Sequence, residues 1–225
     1  MTLLLDAVSV RFQTAAPLFP PLSIRIEAGQ VGTVMGPSGV GKSTLLYAVG
    51  GHLGHGFACA GQVSLNGRVL NGLPPEERRV GLLFQDAVLF PHLSVGDNLA
   101  FGLSPRVKGR KARRAAVEQA LEDAGLAGLA DRDPDTLSGG QRSRAALMRT
   151  LLAEPLALLL DEPFSKLDSA LRAEMRDFTF AHIRNCAIPA LMVTHDPDDA
   201  QAAGGPIVLL EAASPMGGIA ATTEG

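Results

Sequence analysis

The chain has 225 residues, 46% of them hydrophobic, with a formal net charge of −3 at pH 7 and a pI near 5.9. This length favours one large domain or one domain with an inserted subdomain, and the apolar share is sufficient for a sizeable core. Nucleic-acid-binding proteins usually have a basic surplus, which this chain lacks, so we expect no nucleic acid among its partners.

Cysteine usage and the N-terminal sequence bear on location. Cys59 and Cys186 lie far apart and in no metal-binding spacing, which argues against a disulfide framework and fits a reducing compartment. The first ten residues have no basic stretch and include Asp6, so they do not form a signal peptide. No apolar run is long enough to span a bilayer. We therefore expect a chain that reaches a membrane only through a partner.

The N-terminal segment predicts three strands and a helix. Residues 9–12 and 22–29 alternate apolar and polar side chains, as half-buried strands do. Residues 30–36 form a more apolar strand that ends at glycine, and a helix is predicted to begin at Lys42. A glycine-rich turn therefore connects a buried strand to a helix.

The next segments predict a hairpin, a buried strand and then helices. Residues 61–70 form the hairpin, with Asn66-Gly67 at its turn, and residues 79–86 form the strand. Beyond this strand the pattern changes to that of helices. One of these helices has a single apolar face followed by a glycine C-cap, formed by Val117, Ala120, Leu121, Ala124 and Gly125.

Strands return in the last third of the chain. Residues 156–163 and 188–196 are apolar runs that end in polar residues, and a helix is predicted between them at residues 169–184. Residues 206–211 form a last short strand, and the glycine-rich tail after it is expected to be mobile. This order of elements predicts an α/β core interrupted by a helical insertion.

The turn before the first helix has the sequence GPSGVGKS, which matches GxxxxGK[ST] at every fixed position and lies between a strand and a helix, as that motif requires. Its glycines allow backbone N–H groups to face phosphate oxygens, and the helix N-terminus adds its positive dipole end. Lys42 supplies a charge to the β- and γ-phosphates, and the Ser43 hydroxyl can bind Mg²⁺. The predicted ATP-binding residues here are Gly36, Pro37, Ser38, Gly39, Val40, Gly41, Lys42, Ser43 and Thr44.

Two adjacent carboxylates follow the apolar run LALLL. Asp161 is predicted at the carboxyl end of a buried strand, where it would hold Mg²⁺ through water. Glu162 points elsewhere and can act as general base towards the attacking water. An acidic N-cap of a following helix is the alternative. The phosphate-binding turn upstream favours the catalytic interpretation.

A second helix start lies at LSGGQ, residues 137–141. Ser138 is predicted as the N-cap of a helix over residues 141–153, which Glu154-Pro155 ends. Glycines leave the first N–H groups of this helix unobstructed, so it is a second anion-binding helix start. Because the turn at residues 36–43 already provides one phosphate-binding site, this helix start is expected to bind the γ-phosphate of another subunit's nucleotide. The residues expected to do so are Ser138, Gly139, Gly140 and Gln141.

The phosphate-binding turn, LSGGQ and LLLDEP, in this order and spacing, resemble the nucleotide-binding subunit of ATP-binding cassette (ABC) transporters over nearly the whole chain. The resemblance implies a P-loop NTPase core of the ABC-ATPase type, an antiparallel β subdomain and a helical insertion, in a single domain. Residues 1–87 and 155–212 would form the core with its β subdomain. Residues 88–154 would form the helical subdomain, and residues 213–225 a flexible tail.

The resemblance also implies roles for four further residues. Gln85 resembles the glutamine that reaches Mg²⁺ and the attacking water, and His195 resembles the histidine that contacts the γ-phosphate from a strand end. Asp168 lies in FSKLD, which resembles the loop along the dimer seam. Phe12 stands where the family places an aromatic ring that stacks on adenine, with simple packing in a strand as the alternative.

Residues 84–103 and 162–176 resemble bacterial import ATPases fed by periplasmic binding proteins, closest to the Ynj-type import ATPases of enterobacteria. This implies an ATPase that uses ATP and Mg²⁺ and powers the import of a small solute. It also implies an integral-membrane permease, a solute-binding protein as indirect partner, and a location at the cytoplasmic face of the inner membrane. A complete set of motifs in one chain favours a homodimer, with a heterodimer with a sister ATPase as the alternative.

Two other functional classes stay open. In one, an ABC ATPase acts on ribosomes, DNA or protein complexes, although such proteins usually have two cassettes or a long coiled insertion. In the other, the protein is a P-loop kinase or GTPase. That class does not explain LSGGQ, and the guanine-binding motif NKxD is missing from the sequence. Residues 106–114 contain six basic residues, which fit either a solvated helix start or a contact with anionic lipid or a permease loop.

Overall fold

The computed structural model describes residues 1–212, so the predicted mobile tail lies outside the described residues. The strands are β1 (Thr2–Phe12), β2 (Leu22–Glu27), β3 (Val31–Met35), β4 (Phe57–Leu65), β5 (Arg68–Val69), β6 (Val80–Leu83), β7 (Ala157–Asp161), β8 (Ala190–Thr194) and β9 (Gly204–Leu209). The helices are α1 (Lys42–Gly50), α2 (Pro75–Arg78), α3 (Val95–Phe101), α4 (Arg110–Asp123), α5 (Gly139–Leu151), α6 (Ser169–Asn185) and α7 (Pro197–Ala203).

One sheet is antiparallel, with the strand order β2-β1-β4-β5. The predicted hairpin forms its β4–β5 edge, and the turn residues Asn66 (φ 53°) and Gly67 (φ 79°) take the left-handed conformations of a tight two-residue turn. Strand β1 is much longer than the predicted segment, residues 9–12. It bulges at Ala7 (φ 48°), where its register with both neighbouring strands shifts.

The second sheet is parallel, with the strand order β6-β7-β8-β3-β9. Strands β7 and β8 are buried along their whole length, which explains their nearly unbroken apolar sequences. Met35 of β3 pairs with Thr194 of β8, and Asp161 of β7 pairs with Val193. The carboxyl ends of three strands therefore meet at one edge of the sheet, where ligands bind in open α/β sheets.

Helices α3, α4 and α5 lie between β6 and β7 in the chain and pack on one another, as the predicted insertion requires. The predicted apolar face of α4 is buried, and Gly125 (φ 67°) follows its end in a left-handed conformation. Helix α5 begins two residues before the predicted start at Gln141. The Ser138 side chain accepts a hydrogen bond from the Gln141 N–H, which makes Gly139 the first helical residue.

Two hydrophobic clusters fill the interior. One joins the antiparallel sheet and α1 to one face of the parallel sheet, and the other joins the helical insertion and α6 to the opposite face. The short helices α2 and α7, which the sequence analysis missed, each have proline in their first turn, Pro75 and Pro197. In residues 1–212, no helix is long and apolar enough to cross a membrane.

Candidate nucleotide site

The glycine-rich turn lies between the end of β3 and the start of α1, at the edge where the parallel strands end. Gly39 (φ 80°) and Gly41 (φ 104°) have left-handed backbones, which side-chain-bearing residues adopt with strain. A Cβ atom at Gly39 would meet no described atom within 4 Å, so the backbone there is open to a ligand. The turn leads directly into the N-terminus of α1, where backbone N–H groups and the helix dipole favour an anion.

Lys42 is only 5% exposed, yet its ammonium group has three oxygen neighbours. Nζ donates to the carbonyl oxygens of Gly36 at 2.9 Å and Pro37 at 3.1 Å. It also lies 3.4 Å from Oε1 of Glu162. The charge of Lys42 is thus held at the turn itself, directed by its own loop and by the acidic strand end.

Ser43 and Asp161 form the candidate metal pair. The Ser43 hydroxyl donates to Oδ1 of Asp161 at 2.9 Å, and Asp161 is 6% exposed. Burial raises the pKa of Asp161 and the neighbouring Glu162 adds to this, while the hydrogen bond from Ser43 and the charge of Lys42 act in the opposite direction. A hydroxyl and a carboxylate oxygen side by side fit Mg²⁺, a hard cation that keeps further positions for phosphate oxygens and water.

Glu162 and His195 come together at the ends of β7 and β8. Oε2 of Glu162 lies 3.2 Å from Nδ1 of His195, so the two Glu162 oxygens face Lys42 on one side and His195 on the other. The Glu162 backbone is left-handed (φ 43°), and its carboxylate contacts Lys42 and His195, whereas the Asp161 carboxylate contacts Ser43. The structure therefore places a carboxylate, an imidazole and an ammonium group at one point beside the turn.

Gln85 contacts the loop after β7 rather than the candidate metal pair. Its Nε2 donates to the Ser165 hydroxyl at 3.1 Å, and that hydroxyl donates to the Glu162 carbonyl at 3.0 Å. The next residues along, Asp86 and Lys166, form an ion pair. Among the described residues, no hydrogen bond joins Gln85 to Ser43 or Asp161, so its metal contact stays a prediction.

Asp168 and Ser165 act structurally in the same loop. The Asp168 side chain accepts a hydrogen bond from the Leu171 N–H at 3.0 Å and so caps α6. Ser165, which the sequence analysis did not single out, links Gln85 to the Glu162 backbone. In the sequence, the only indication of a role for Ser165 is its position between the acidic pair and Asp168.

The LSGGQ residues form a complete capping box at the start of α5. The Gln141 N–H donates to Ser138 Oγ at 3.2 Å, and the Ser138 N–H donates to Gln141 Oε1 at 2.9 Å. Gly139 lines a cleft of about 380 Å³ that Gln85 and Lys166 also line. Within residues 1–212, no hydrogen bond or ion pair connects this helix start with the glycine-rich turn, so the two helix starts share no direct polar contact.

Phe12 lies at the end of β1 and packs on Phe57, with the ring centroids 5.0 Å apart and the planes tilted by 59°. Its side chain remains 40% exposed. A Cβ atom at Gly56 would lie 2.8 Å from the Phe12 ring, so the glycine allows the ring to lie against the backbone. Phe12 thus packs against Phe57 while part of its side chain stays exposed, and its contact with adenine stays a prediction.

Comparison with known proteins identifies relatives of the whole arrangement. The family model described as "ABC transporter" matches residues 19–165. The uncharacterized ABC transporter ATP-binding protein YnjD of Escherichia coli is 50% identical over 185 residues, which cover 82% of this chain and 85% of that protein. The thiamine import ATP-binding protein ThiQ of Cereibacter sphaeroides is 49% identical over 174 residues, covering 77% and 74%. The solved structure of cbiO1 from Clostridium perfringens, part of the ABC transporter complex cbiONQ, has a TM-score of 0.82 and 25% identity, covering 93% of this chain and 84% of that one.

Proposed function

The chain belongs to the ATP-binding proteins of ABC transporters, and we propose that it is the MgATP-hydrolysing subunit of a membrane importer for a small solute. One observation carries the proposal of ATP hydrolysis. Five polar side chains converge at the carboxyl edge of the parallel sheet, beside a turn whose backbone is open to phosphate: those of Lys42, Ser43, Asp161, Glu162 and His195.

Nucleotide binding rests on the turn and on α1. The backbone N–H groups of residues 38–43 bind the phosphates, together with Lys42, whose ammonium group is already directed at the turn. Ser43 and Asp161 would hold Mg²⁺, which neutralises charge on the phosphates when bound. Phe12, whose side chain is 40% exposed, would stack on adenine.

Hydrolysis is an in-line attack of water on the γ-phosphorus. Glu162 accepts the proton from the attacking water as the new O–P bond forms and the bond to the β-phosphate oxygen breaks, which releases ADP and phosphate. The imidazole of His195 lies against the second Glu162 oxygen, where it orients the carboxylate and can reach the γ-phosphate. Gln85 would leave Ser165 to approach the metal and the water.

The LSGGQ residues at the start of α5 are proposed to bind the γ-phosphate of the nucleotide held by a second chain. Ser138 and Gln141 satisfy each other in the capping box, which leaves the N–H groups of Gly139 and Gly140 for a phosphate. Since this start shares no direct polar contact with the glycine-rich turn of its own chain, two copies arranged head to tail would complete two sites. A full set of motifs in one chain favours a homodimer, with Asp168 along its seam.

The importer assignment rests on the similarity of the chain to thiamine and Fe³⁺ import ATP-binding proteins. Residues 1–87 and 155–212 would act as the motor core, and residues 88–154 as the subdomain that moves with the permease. The chain would work at the cytoplasmic face of the membrane, with a solute-binding protein as indirect partner. The transported solute stays unassigned.

The test uses Glu162→Gln and Lys42→Ala in parallel. Glu162→Gln should lower the rate of ATP hydrolysis by about 10²–10⁴-fold and keep ATP bound, because only the proton acceptor is lost. Lys42→Ala should weaken ATP binding itself. Rapid turnover by Glu162→Gln, or unchanged ATP affinity in Lys42→Ala, would contradict the assigned roles.

The partner is tested by copurification from detergent-solubilised membranes, with the Glu162→Gln variant and ATP. A polytopic permease at one or two copies per ATPase dimer would support the transport motor. Recovery only in the soluble fraction, together with ribosomal or DNA-associated proteins, would instead indicate an ABC ATPase that drives no transport.

A further inference from the structure

Arg172, in the first turn of α6, spans two loops of the candidate site. Its Nε donates to the carbonyl oxygen of Phe164 at 3.1 Å, and its Nη2 donates to that of Ser165 at 3.3 Å. Its Nη1 forms a charged hydrogen bond with the carboxylate of Asp196. All three guanidinium nitrogens therefore have partners, and these partners lie on two different loops.

These two loops each adjoin a proposed catalytic side chain. Phe164 and Ser165 follow Glu162 by two and three residues, and Asp196 directly follows His195. Arg172 thus holds the chain just beyond both members of the Glu162–His195 pair. The Arg172 side chain is 23% exposed and that of Asp196 is 22% exposed, so the ion pair is largely shielded from water. A shielded ion pair of this kind is stronger than one on an open surface.

Asp196 is itself fixed from the other side. Its Oδ1 accepts a hydrogen bond from the Asp198 N–H at 2.8 Å, and its own N–H donates to the Thr194 hydroxyl at 3.0 Å. The residues before and after His195 are therefore both anchored. In the described part of the chain, the one polar partner of the His195 side chain is Glu162. The distance between these two side chains thus depends on how firmly the two loops are held together.

We propose that Arg172 is a positioning residue that maintains the 3.2 Å separation of the Glu162 and His195 side chains by connecting the loop after β7 to the loop after β8. This inference rests on the proposed ATPase function. Reacting groups lose activity when displaced by about 1 Å, so the loss of this connection lowers the rate of the chemical step. Nucleotide affinity is retained, because the phosphate-binding turn is built on β3 and α1, which Arg172 does not contact through its side chain.

The test compares Arg172→Lys with Arg176→Lys in the full-length protein. A lysine keeps the charge but presents one nitrogen in place of a planar fork, so it cannot bond both loops as Arg172 does. Arg176 is the matched control, one turn later on α6, where it bonds Asp199 at 3.2 Å and neither loop backbone. The measurements are kcat and KM for ATP, ATP affinity, and the melting temperature.

Arg172→Lys should lower kcat by about tenfold or more and change ATP affinity by less than about twofold, as expected for a group that positions catalytic residues. Arg176→Lys should keep kcat within about threefold. A kcat within twofold of wild type in Arg172→Lys, or an equal loss in both variants, would overturn the proposal. Wild-type protein that neither binds nor hydrolyses ATP would refute the proposed function instead, which separates the two failures.

A double-mutant cycle with Asp196→Asn tests the coupling directly. If Arg172 acts through Asp196, the single and double variants should lose similar amounts of kcat, because the second change removes nothing further. Losses that multiply in the double variant would show independent roles and would count against the connection.

Discussion

Replacing Arg78 with lysine should destabilise the protein, because its buried side chain connects the C-terminal end of α1 to the backbone at Leu73. The side chain is 8% exposed. Its Nη1 donates to the carbonyl oxygens of Ala48 and Val49, in the last turn of α1, each at 2.8 Å. Its Nε donates to the carbonyl oxygen of Leu73 at 2.8 Å. The arginine therefore satisfies carbonyl groups that the end of α1 leaves free, and adds a favourable charge there.

The expected loss of unfolding free energy follows from the number of carbonyl groups that are left without a hydrogen-bond donor. A lysine ammonium group is a single point and cannot reach both the α1 end and Leu73 with the geometry of the arginine fork. One or two buried carbonyl groups then lose their partner, at about 1–3 kcal/mol each. A loss of about 3 kcal/mol lowers the melting temperature of a protein of this size by about 6–12 °C.

The assay is thermal unfolding followed by circular dichroism or calorimetry, with Arg79→Lys as the matched control. Arg79 is exposed, and its one side-chain hydrogen bond among the described residues goes to the Glu154 carbonyl at 2.9 Å. Its replacement should shift the melting temperature by less than about 2 °C, as for most exposed sites. Equal, small shifts in both variants would refute the view that Arg78 anchors α1.

Three further predictions concern other positions. Burial raises the pKa of Asp161, so its ionised form costs stability at neutral pH. In the absence of Mg²⁺, Asp161→Asn should therefore raise the melting temperature near pH 7. This gain should shrink as the pH falls, because the wild-type carboxyl group then becomes protonated. A pH-independent gain would contradict this. Gly61→Ala should cost at least about 2 kcal/mol in urea titration, since φ is 80° and the new Cβ would lie 2.2 Å from the Ala7 carbonyl oxygen; a cost below 0.5 kcal/mol would count against it. The exposed Asp86–Lys166 pair should contribute less than about 1 kcal/mol, which a double-mutant cycle with alanine measures.

Local sequence patterns predicted the parts of the fold that depend on neighbouring residues. The alternation over residues 22–29 corresponds to β2, and Asn66-Gly67 forms the predicted hairpin turn. The prediction for β1 was too short, because its first half has consecutive leucines and a bulge at Ala7, which break the period of two that a strand normally shows. Element boundaries thus failed where tertiary pairing, rather than local pattern, decides the strand length.

The same division applies to the candidate site. The position of the glycine-rich turn between β3 and α1 could be predicted because its motif is contained in eight consecutive residues, 36–43. The contact between Arg172 and Asp196 could not, since the two residues are 24 positions apart and nothing local in the sequence pairs them. The direction of Gln85 was also inaccessible, because Ser165, 80 residues later, determines it.

The acidic strand end has a consequence for attempts to engineer this protein. Asp161 is a buried carboxylate, and Glu162 has a left-handed backbone (φ 43°), a conformation that costs a side-chain-bearing residue about 1 kcal/mol or more. Both residues therefore work against the stability of the fold that holds them. A variant library screened only for heat resistance or soluble yield should accumulate asparagine at the first position and glycine or asparagine at the second. Such a screen would select well-folded proteins that lack the two carboxylates proposed to bind the metal and to activate water, so directed evolution of this scaffold needs an activity criterion from the first round.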